Sequence, residues 1–208
     1  MIERIIQTDA DVAEGMAVLS QICPRMKAAY AQIGPLPLRR KPDGFGQLLN
    51  AIIGQQVSIA SAAAIWSRME TAGMVTATRC AKASEAELRN LGLSRQKIRY
   101  AQELGRAGID FEALRDLPSV DVIRTLTAVP GIGPWTAEVY AMFSLGRADV
   151  FAPGDLALQE AARVLYDLPD RPKEKAFRDM AAAWAPWRSV AARLLWAYYA
   201  HLKNREGI

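Results

Sequence analysis

Apolar residues recur along most of the chain at spacings of three and four, the period of one face of an α-helix. No segment shows a convincing alternation of apolar and polar residues, the pattern typical of a half-buried β-strand. The pattern therefore predicts an all-α protein of ten or more short helices with essentially no sheet. Since the chain contains no internal repeat and no low-complexity tract, we expect compact helical packing and not a solenoid.

Capping residues, glycines and prolines indicate where these helices begin and end. Ser84 with Glu87 forms a capping-box pattern, and Ser58 and Ser94 are suited to cap the helices that follow them. The first helix begins at Asp9 or Asp11, and residues 35–44 form an extended connector. The other predicted helices are 24–34, 45–54, 58–73, 84–92, 94–107, 111–117, 120–128, 134–145, 155–166, 172–184 and 187–203.

Composition narrows the class of protein. The chain has 208 residues, of which 51% are hydrophobic and 23% charged, which is typical of a folded protein with one large domain or two lobes and excludes disordered and fibrous classes. Two cysteines and one histidine cannot build a disulfide framework, a four-cysteine zinc or iron–sulfur site, or a histidine-based metal centre. Mechanisms that need a histidine base are disfavoured for the same reason.

Charge and targeting patterns point to a cytosolic protein without a membrane partner. The first ten residues lack the order of a secretory signal, and no run of 18 uncharged apolar residues occurs. The net charge of +4 is concentrated in residues 171–208, which hold eight Lys/Arg against three Asp/Glu. This distribution is compatible with polyanion binding, and equally with a solvated helix surface.

The segment Val129-Pro-Gly-Ile-Gly-Pro-Trp-Thr-Ala137 lies between two predicted helices. Gly131 and Gly133 allow a tight turn, and Pro134 suits the first position of the following helix. In a helix–hairpin–helix arrangement of this kind, the backbone amides in the first turn of the second helix can hold a phosphate. A plain packing corner is the alternative. A dinucleotide-binding loop is excluded, because Thr136 stands where the third glycine would be and no strand precedes the turn.

A second motif is the Pro-Gly loop of Asp149-Val-Phe-Ala-Pro-Gly-Asp-Leu-Ala-Leu-Gln-Glu160, which brings Asp155 to the start of a helix. Together with the hairpin, with Phe45–Ser58 and with Trp184–Trp196, it resembles the helix–hairpin–helix DNA glycosylases, most closely their alkylated-base branch, the 3-methyladenine DNA glycosylase II type. The resemblance covers about residues 44–199. The β-rich amino-terminal domain of some members has no counterpart here.

The resemblance implies a two-lobed helical fold with the active site in the cleft between the lobes. Residues 49–147 would form the central lobe, and residues 1–48 with 148–208 the second. The implied activity is hydrolysis of the N-glycosidic bond of alkylated purines, such as 3-methyladenine and 7-methylguanine, after the base is flipped out of duplex DNA. This step initiates base excision repair. A different damaged base, or a catalytically silent DNA-binding module, remains an alternative.

Asp155 stands at the position of the family's catalytic aspartate, and Trp135 and Trp196 at those of its pocket tryptophans. The alternative for Asp155 is an ordinary helix N-cap, a role compatible with catalysis, and the alternative for each tryptophan is a place in the core. Trp135 also occupies the position where some relatives carry a nucleophilic lysine, which implies that strand-breaking lyase activity is absent. Leu156 and Val139 depart from the family's aromatic pocket residues.

Gln56 falls where the family inserts a wedge into DNA, and Gln55 with it is expected to support base flipping, although both also suit a polar loop between helices. Phosphate contacts are expected from the hairpin, at Gly131, Gly133 and Thr136. Ser58 and Arg188 are also expected to contact phosphate. The alternative for Ser58 is a helix cap, and the alternative for Arg188 is an ion pair. Backbone carbonyls at Val129 and Ile132 are expected to hold a monovalent cation, Na⁺ or K⁺, and no catalytic cofactor is implied. The expected protein is a cytoplasmic monomer, nucleoid-associated if bacterial, whose partner is duplex DNA with a damaged base.

Overall fold

The computed structural model describes residues 3–206. Within this range the chain forms twelve α-helices and two short 3-10 helices, with no named strand and one isolated bridge between Ile5 and Arg147. The prediction of an all-α protein is therefore confirmed. The helices are α1 (Asp9–Ile22), α2 (Pro24–Ile33), α3 (Phe45–Gly54), α4 (Ile59–Thr71), α5 (Ala77–Lys82), α6 (Glu85–Asn90), α7 (Arg95–Arg106), α8 (Ser119–Thr127), α9 (Pro134–Phe143), α10 (Leu156–Leu165), α11 (Glu174–Ala181) and α12 (Arg188–Glu206), with 3-10 helices at Ala113–Arg115 and Ala182–Trp184.

Many of these helices begin at a residue whose side chain accepts a hydrogen bond from the first turn, because the first amides of a helix have no partner within it. The capping box of Ser84 and Glu87 is present, and the Ser58 and Ser94 hydroxyls accept hydrogen bonds at the starts of α4 and α7. These predicted caps are confirmed. Thr8 begins α1 with a further capping box that the sequence analysis did not name.

Two segments differ from the predicted helices. Residues 111–117 contain only the single 3-10 turn Ala113–Arg115, because the segment is short, ends at Pro118 and buries little beyond Leu114. Conversely, α5 was missed, although Thr76 caps it by accepting a hydrogen bond from the Arg79 amide. With only six residues, α5 has too little periodicity to be recognised, and packing against α7 stabilises it.

The chain divides into two compact units, residues 1–40 with 141–208 and residues 41–140. The sequence analysis placed the limits of the central lobe at 49 and 147, whereas the structure places them at 41 and 140. In the unit of the chain ends, α12 packs against α1, α2 and α10. In the central unit, α7 packs against α3 and α5. Buried aliphatic side chains fill both cores.

Residues 4–6 pair through their backbone with residues 146–148 of the same unit. The Ile6 amide donates to the Gly146 carbonyl at 2.7 Å, and the Ala148 amide donates to the Arg4 carbonyl at 3.0 Å. Over residues 3–206, none of the helices combines the length and the apolar character needed to cross a membrane.

Candidate functional site

The loop before α10 is fixed by hydrogen bonds among its own residues. The Asp155 amide donates to the Ala152 carbonyl at 3.1 Å, and the Gln159 side-chain amide donates to the Pro153 carbonyl at 2.8 Å. The Asp155 carbonyl then accepts the Gln159 amide at 3.0 Å as the first hydrogen bond of the helix. The Pro-Gly loop is therefore rigid before any partner binds.

Asp155 is the N-cap of α10. Its Oδ1 accepts hydrogen bonds from the amides of Ala157 at 2.9 Å and Leu158 at 3.0 Å, and the side chain is only partly exposed. These two amides hold the carboxylate in one orientation at the start of the helix. The N-cap that the sequence predicted is confirmed, and the catalytic role stays a prediction.

The hairpin between α8 and α9 is a tight turn. The Ile132 amide donates to the Val129 carbonyl at 3.1 Å, and Gly131 has a φ of 95°, a region that favours glycine. A Cβ added at Gly131 would lie 2.4 Å from Cγ of Tyr100, so this glycine is packed against a ring. A Cβ added at Gly133 would meet nothing within 4 Å. The open approach to the hairpin is therefore at Gly133.

Trp135 and Thr136, both in the first turn of α9, differ in their exposure to solvent. Trp135 is 46% exposed, which is unusual for so large an apolar side chain and argues against a place in the core. Thr136 is buried. Any contact of Thr136 with a phosphate would therefore involve its backbone amide at the positive end of α9 and not its hydroxyl.

The turn at residues 54–58, between α3 and α4, lies against the hairpin within the central unit. The Gln55 side-chain amide donates to the Gly131 carbonyl at 2.9 Å. Gln56 is exposed and has a φ of 55°, unusual for a residue other than glycine. On the other side of the turn, the Lys97 ammonium donates to the Ile53 carbonyl at 2.7 Å. Lys97 is buried, and this burial lowers the pKa of its amino group.

An open cavity of about 500 Å³ lies beside this arrangement, entirely within the central unit. The 54–58 turn, the start of α7 and the hairpin line it: Gln55, Gln56, Val57, Ser94, Gln96, Lys97, Tyr100, Gly131, Ile132 and Gly133. The structure thus brings together four residues that the sequence marked separately, Gln55, Gln56, Gly131 and Gly133. Sequence reasoning missed Lys97 and Tyr100, which no motif distinguishes.

Trp196 belongs to the unit of the chain ends and is partly buried on α12. Its ring centre lies 5.6 Å from that of Phe143, at an angle of 37° between the planes. The Arg193 guanidinium lies 4.7 Å from the centre of the Phe143 ring and donates to the carbonyls of Leu38 and Ser189. Burial lowers the pKa of Arg193 to about 10. Arg193 is fully buried and, like Lys97 and Tyr100, was not predicted from the sequence.

The two other proposed phosphate contacts have structural partners. Ser58 caps α4 by accepting a hydrogen bond from the Ser61 amide at 3.2 Å. Arg188 donates from Nε and Nη2 to the two carboxylate oxygens of Asp149, at 2.6 and 2.8 Å, and this pairing raises the pKa of Arg188. Both residues show the alternative roles expected from the sequence, and their contacts with phosphate stay predictions.

The hairpin backbone retains the means to bind a monovalent cation. The Val129 carbonyl already accepts one hydrogen bond, from the Ile132 amide. A carbonyl oxygen has two lone pairs, so this bond leaves a position for a cation. The cation at Val129 and Ile132 remains a prediction, and no chemical step described below depends on it.

Comparison with known proteins places this geometry in a family context. Residues 49–186 match the family described as HhH-GPD superfamily base excision DNA repair protein. A probable bifunctional transcriptional activator/DNA repair enzyme of Mycobacterium tuberculosis, AlkA, is 30% identical over 97% of the chain. The chain spans only 42% of the length of that relative.

Two solved structures share the fold. A DNA-3-methyladenine glycosidase from Bacillus halodurans superposes with a TM-score of 0.82 at 32% identity, covering 98% of this chain and 95% of that one. The 3-methyladenine DNA glycosylase of Schizosaccharomyces pombe, in complex with abasic DNA, superposes with a TM-score of 0.76 at 27% identity, covering 88% and 95%.

Proposed function

Because the chain belongs to the HhH-GPD superfamily of base excision DNA repair proteins, we propose that it is a monofunctional DNA glycosylase that removes alkylated purines from duplex DNA. The observation that carries the proposal is Asp155, a carboxylate fixed at the start of α10 by two backbone amides. The relatives with 3-methyladenine glycosylase names support the choice of substrate. We further propose that it acts as a cytoplasmic monomer.

In this mechanism Asp155 stabilises positive charge on the sugar. As the N-glycosidic bond breaks, the deoxyribose gains oxocarbenium character, and a fixed carboxylate lowers the energy of that state. The same carboxylate is suited to orient or deprotonate the attacking water. An alkylated purine that carries a positive charge leaves readily, so the reaction needs little help from a general acid.

Trp135 and Trp196 are proposed to contact the flipped base. An indole face attracts a cation, so a positively charged alkylated purine is favoured over an undamaged base by about 1–2 kcal/mol where the contact is desolvated. The exposure of Trp135 supports this role, because an exposed ring is available to contact a base. Trp196 is held by Phe143 and retains some exposed surface.

The proposed reaction ends with an abasic site and an intact strand. A lyase needs an accessible amine that attacks the sugar, and Trp135 replaces the lysine that some relatives use. Lys97 is the lysine nearest the hairpin on the amino-terminal side in sequence, and its ammonium is buried against the Ile53 carbonyl. Burial lowers the pKa of this amine, and its hydrogen bond to the Ile53 carbonyl would have to break before it could attack a sugar.

DNA is proposed to bind at the hairpin, with Gln56 as the residue that fills the space of the flipped base. The open surface at Gly133 allows a phosphate to approach the amides at the start of α9. Gln56 is exposed at the apex of the 54–58 turn. A polar wedge can hydrogen-bond to the base opposite the gap, a contact that an aliphatic wedge lacks.

A second candidate is a glycosylase for a different damaged base. Leu156, directly after Asp155, is 63% exposed, and Val139 is partly exposed, at two positions where the resembled family carries aromatic residues. Aliphatic side chains there remove ring surface from the pocket, which would change the bases that fit. The same experiment identifies the base in either case.

The experiment is to incubate the wild type and Asp155→Asn with methylated duplex DNA and to identify the released bases by chromatography. Asparagine keeps an oxygen that can accept the Ala157 and Leu158 amides but removes the charge. We expect the wild type to release 3-methyladenine and 7-methylguanine, and the variant to be slower by roughly 100-fold or more. Strand breaks should appear only after alkali.

Asp110→Asn is the matched control. Asp110 also accepts a backbone amide through its carboxylate, that of Ala113 at 3.0 Å, but in the central unit and with no proposed role. It should release bases at the wild-type rate. Equal rates for Asp155→Asn and wild type would rule out the proposed mechanism, and breaks without alkali would rule out a monofunctional enzyme.

A further inference from the structure

A hydrogen bond joins two segments that are far apart in sequence and that the proposed function uses for different tasks. The Gln55 side-chain amide donates to the Gly131 carbonyl at 2.9 Å across 76 residues, at a partly buried position. Gly131 belongs to the hairpin proposed to hold a phosphate. Gln55 immediately precedes Gln56, the residue proposed to enter the DNA. The bond therefore connects the place of DNA binding with the place of base eversion.

Helix α7 fixes both segments from the protein side. Its Lys97 donates to the Ile53 carbonyl at the end of α3, directly before the 54–58 turn. Its Tyr100 packs so closely on Gly131 that no Cβ would fit there. The backbone on either side of the Gln55–Gly131 bond is thus anchored to the same helix, which leaves the bond little freedom to break and reform elsewhere.

The conformation of Gln56 depends on this support. A φ of 55° is sparsely populated by residues with a Cβ and persists only where the surrounding structure holds it. Gln56 is exposed, so it is held mainly through the backbone of its neighbours. Without the Gln55 bond, the turn would be expected to relax toward ordinary dihedral angles and carry the Gln56 side chain away from its position.

We propose that Gln55 is a positioning residue that fixes the 54–58 turn on the hairpin, so that phosphate binding at the hairpin also places Gln56 for base eversion. This inference rests on the proposed function and sharpens the assignment of Gln55, which the sequence grouped with Gln56 as a wedge or as support for base flipping. Its amide already donates to the protein, so its part in eversion is to hold the turn and not to enter the duplex.

The test is Gln55→Glu, with Gln55→Met as a second variant. Glutamate has nearly the same size but places a carboxylate against the Gly131 carbonyl, and methionine removes the donor without adding charge. We expect single-turnover release of 7-methylguanine to fall roughly 10- to 100-fold in both variants. Affinity for a duplex with a tetrahydrofuran abasic analogue, measured by fluorescence anisotropy, should stay within about threefold for Gln55→Met, since one partly buried hydrogen bond away from the phosphate is lost.

Gln102→Glu is the matched control. The Gln102 side-chain amide also donates to a backbone carbonyl at 2.9 Å, that of Ala83, within the same unit and at a partly buried position. The same chemical change there should alter the melting temperature about as much as at Gln55 and leave the excision rate at the wild-type level. The melting temperature of every variant verifies that it is folded.

A second measurement does not require excision. A 2-aminopurine placed beside the tetrahydrofuran analogue should become more fluorescent when the wild type binds, since it loses stacking, and the rise should be absent with both Gln55 variants. If the wild type releases no base yet shows the rise, and the variants do not, the proposed function fails while the positioning role stands. Wild-type excision and fluorescence in the Gln55 variants would overturn the inference. A parallel loss of duplex affinity in Gln55→Met would also overturn it, by placing Gln55 in direct contact with DNA.

Discussion

The loop that carries Asp155 and the hairpin that carries Gly131 are built in opposite ways. Every bond described for the Asp155 loop joins residues between Ala152 and Gln159. The hairpin combines local backbone bonds, such as that of the Ile132 amide to the Val129 carbonyl, with contacts from two distant residues, the Gln55 amide and the Tyr100 ring. The Asp155 carboxylate is oriented by bonds within its own loop and helix start, whereas the Gly131 backbone is held by contacts with residues far away in sequence.

This difference predicts how each region responds to damage. A locally held carboxylate should keep its orientation as long as the first turn of α10 persists, whatever happens elsewhere in the fold. A surface assembled from α3, α7 and the hairpin should lose its shape when any of the three moves. Substitutions in the core of the central unit should therefore affect DNA binding and base eversion, while those in α10 should affect the chemical step.

The largest effect on stability is expected from Gly131→Ala. The new methyl group would lie within 3 Å of three Tyr100 atoms, at a φ of 95°. Overpacking and backbone strain together should lower the free energy of unfolding by roughly 2–4 kcal/mol, measured by urea denaturation.

Gly133→Ala is its matched partner in the same hairpin. An added methyl group meets no protein atom within 4 Å there, so stability should change by less than about 1 kcal/mol. The methyl group would instead occupy the space proposed for a phosphate, and duplex affinity should fall. If the two variants were equally stable, the hairpin would not depend on Tyr100, and the contrast between the two regions would disappear.

Several locally built features were predicted from the sequence, although the caps at Thr8 and Thr76 were missed. The capping box at Ser84 and the N-cap at Asp155 follow from side chains that reach amides two or three residues away. The glycine at position 131 likewise shows a positive φ because a tight turn requires one. In these cases the residues that cause the structure lie within one turn of it, so a short window of sequence is sufficient.

The features built from distant residues could not be predicted. Nothing in the sequence near Gln55 indicates that its amide reaches the hairpin, or that Lys97 would be buried against the end of α3. The ion pair of Arg188 with Asp149 was only one of two roles considered, and the buried Arg193 was not considered. Each of these depends on which helices pack together, and charge or periodicity within one helix does not determine that choice.

A smaller effect on the free energy of unfolding is expected at Asp155, where the alanine and asparagine variants should differ. Alanine removes both hydrogen bonds to the Ala157 and Leu158 amides, whereas asparagine can retain them. Loss of an N-cap should lower the free energy of unfolding by about 1 kcal/mol for alanine and by much less for asparagine. Both variants should release bases poorly. Equal stability of the two would mean that the loop is held by something other than its own cap.

The smallest effect concerns a second locally held carboxylate, Asp11 in the capping box of α1. The amides of Gln7 and Thr8 donate to its Oδ2 at 3.0 and 2.9 Å, and these bonds lower the pKa of Asp11 to about 2. Because the pKa of Asp11 is lower in the folded state than in the unfolded state, the ionised Asp11 carboxylate stabilises the folded state. That contribution is complete above the unfolded value of about 4 and is lost as the pH falls toward 2.

Urea unfolding of the wild type and Asp11→Asn between pH 5 and pH 2 measures this contribution. The wild type should be the more stable protein at pH 5, and the difference should shrink through pH 4 and 3 and be nearly absent at pH 2. Raising the salt concentration should reduce the difference only slightly, because backbone amides three and four residues away supply most of it and are poorly screened. A difference that stays constant across this range would show that Asp11 acts through its shape and not through its charge. The local bonds would then fail to account for the pKa of Asp11.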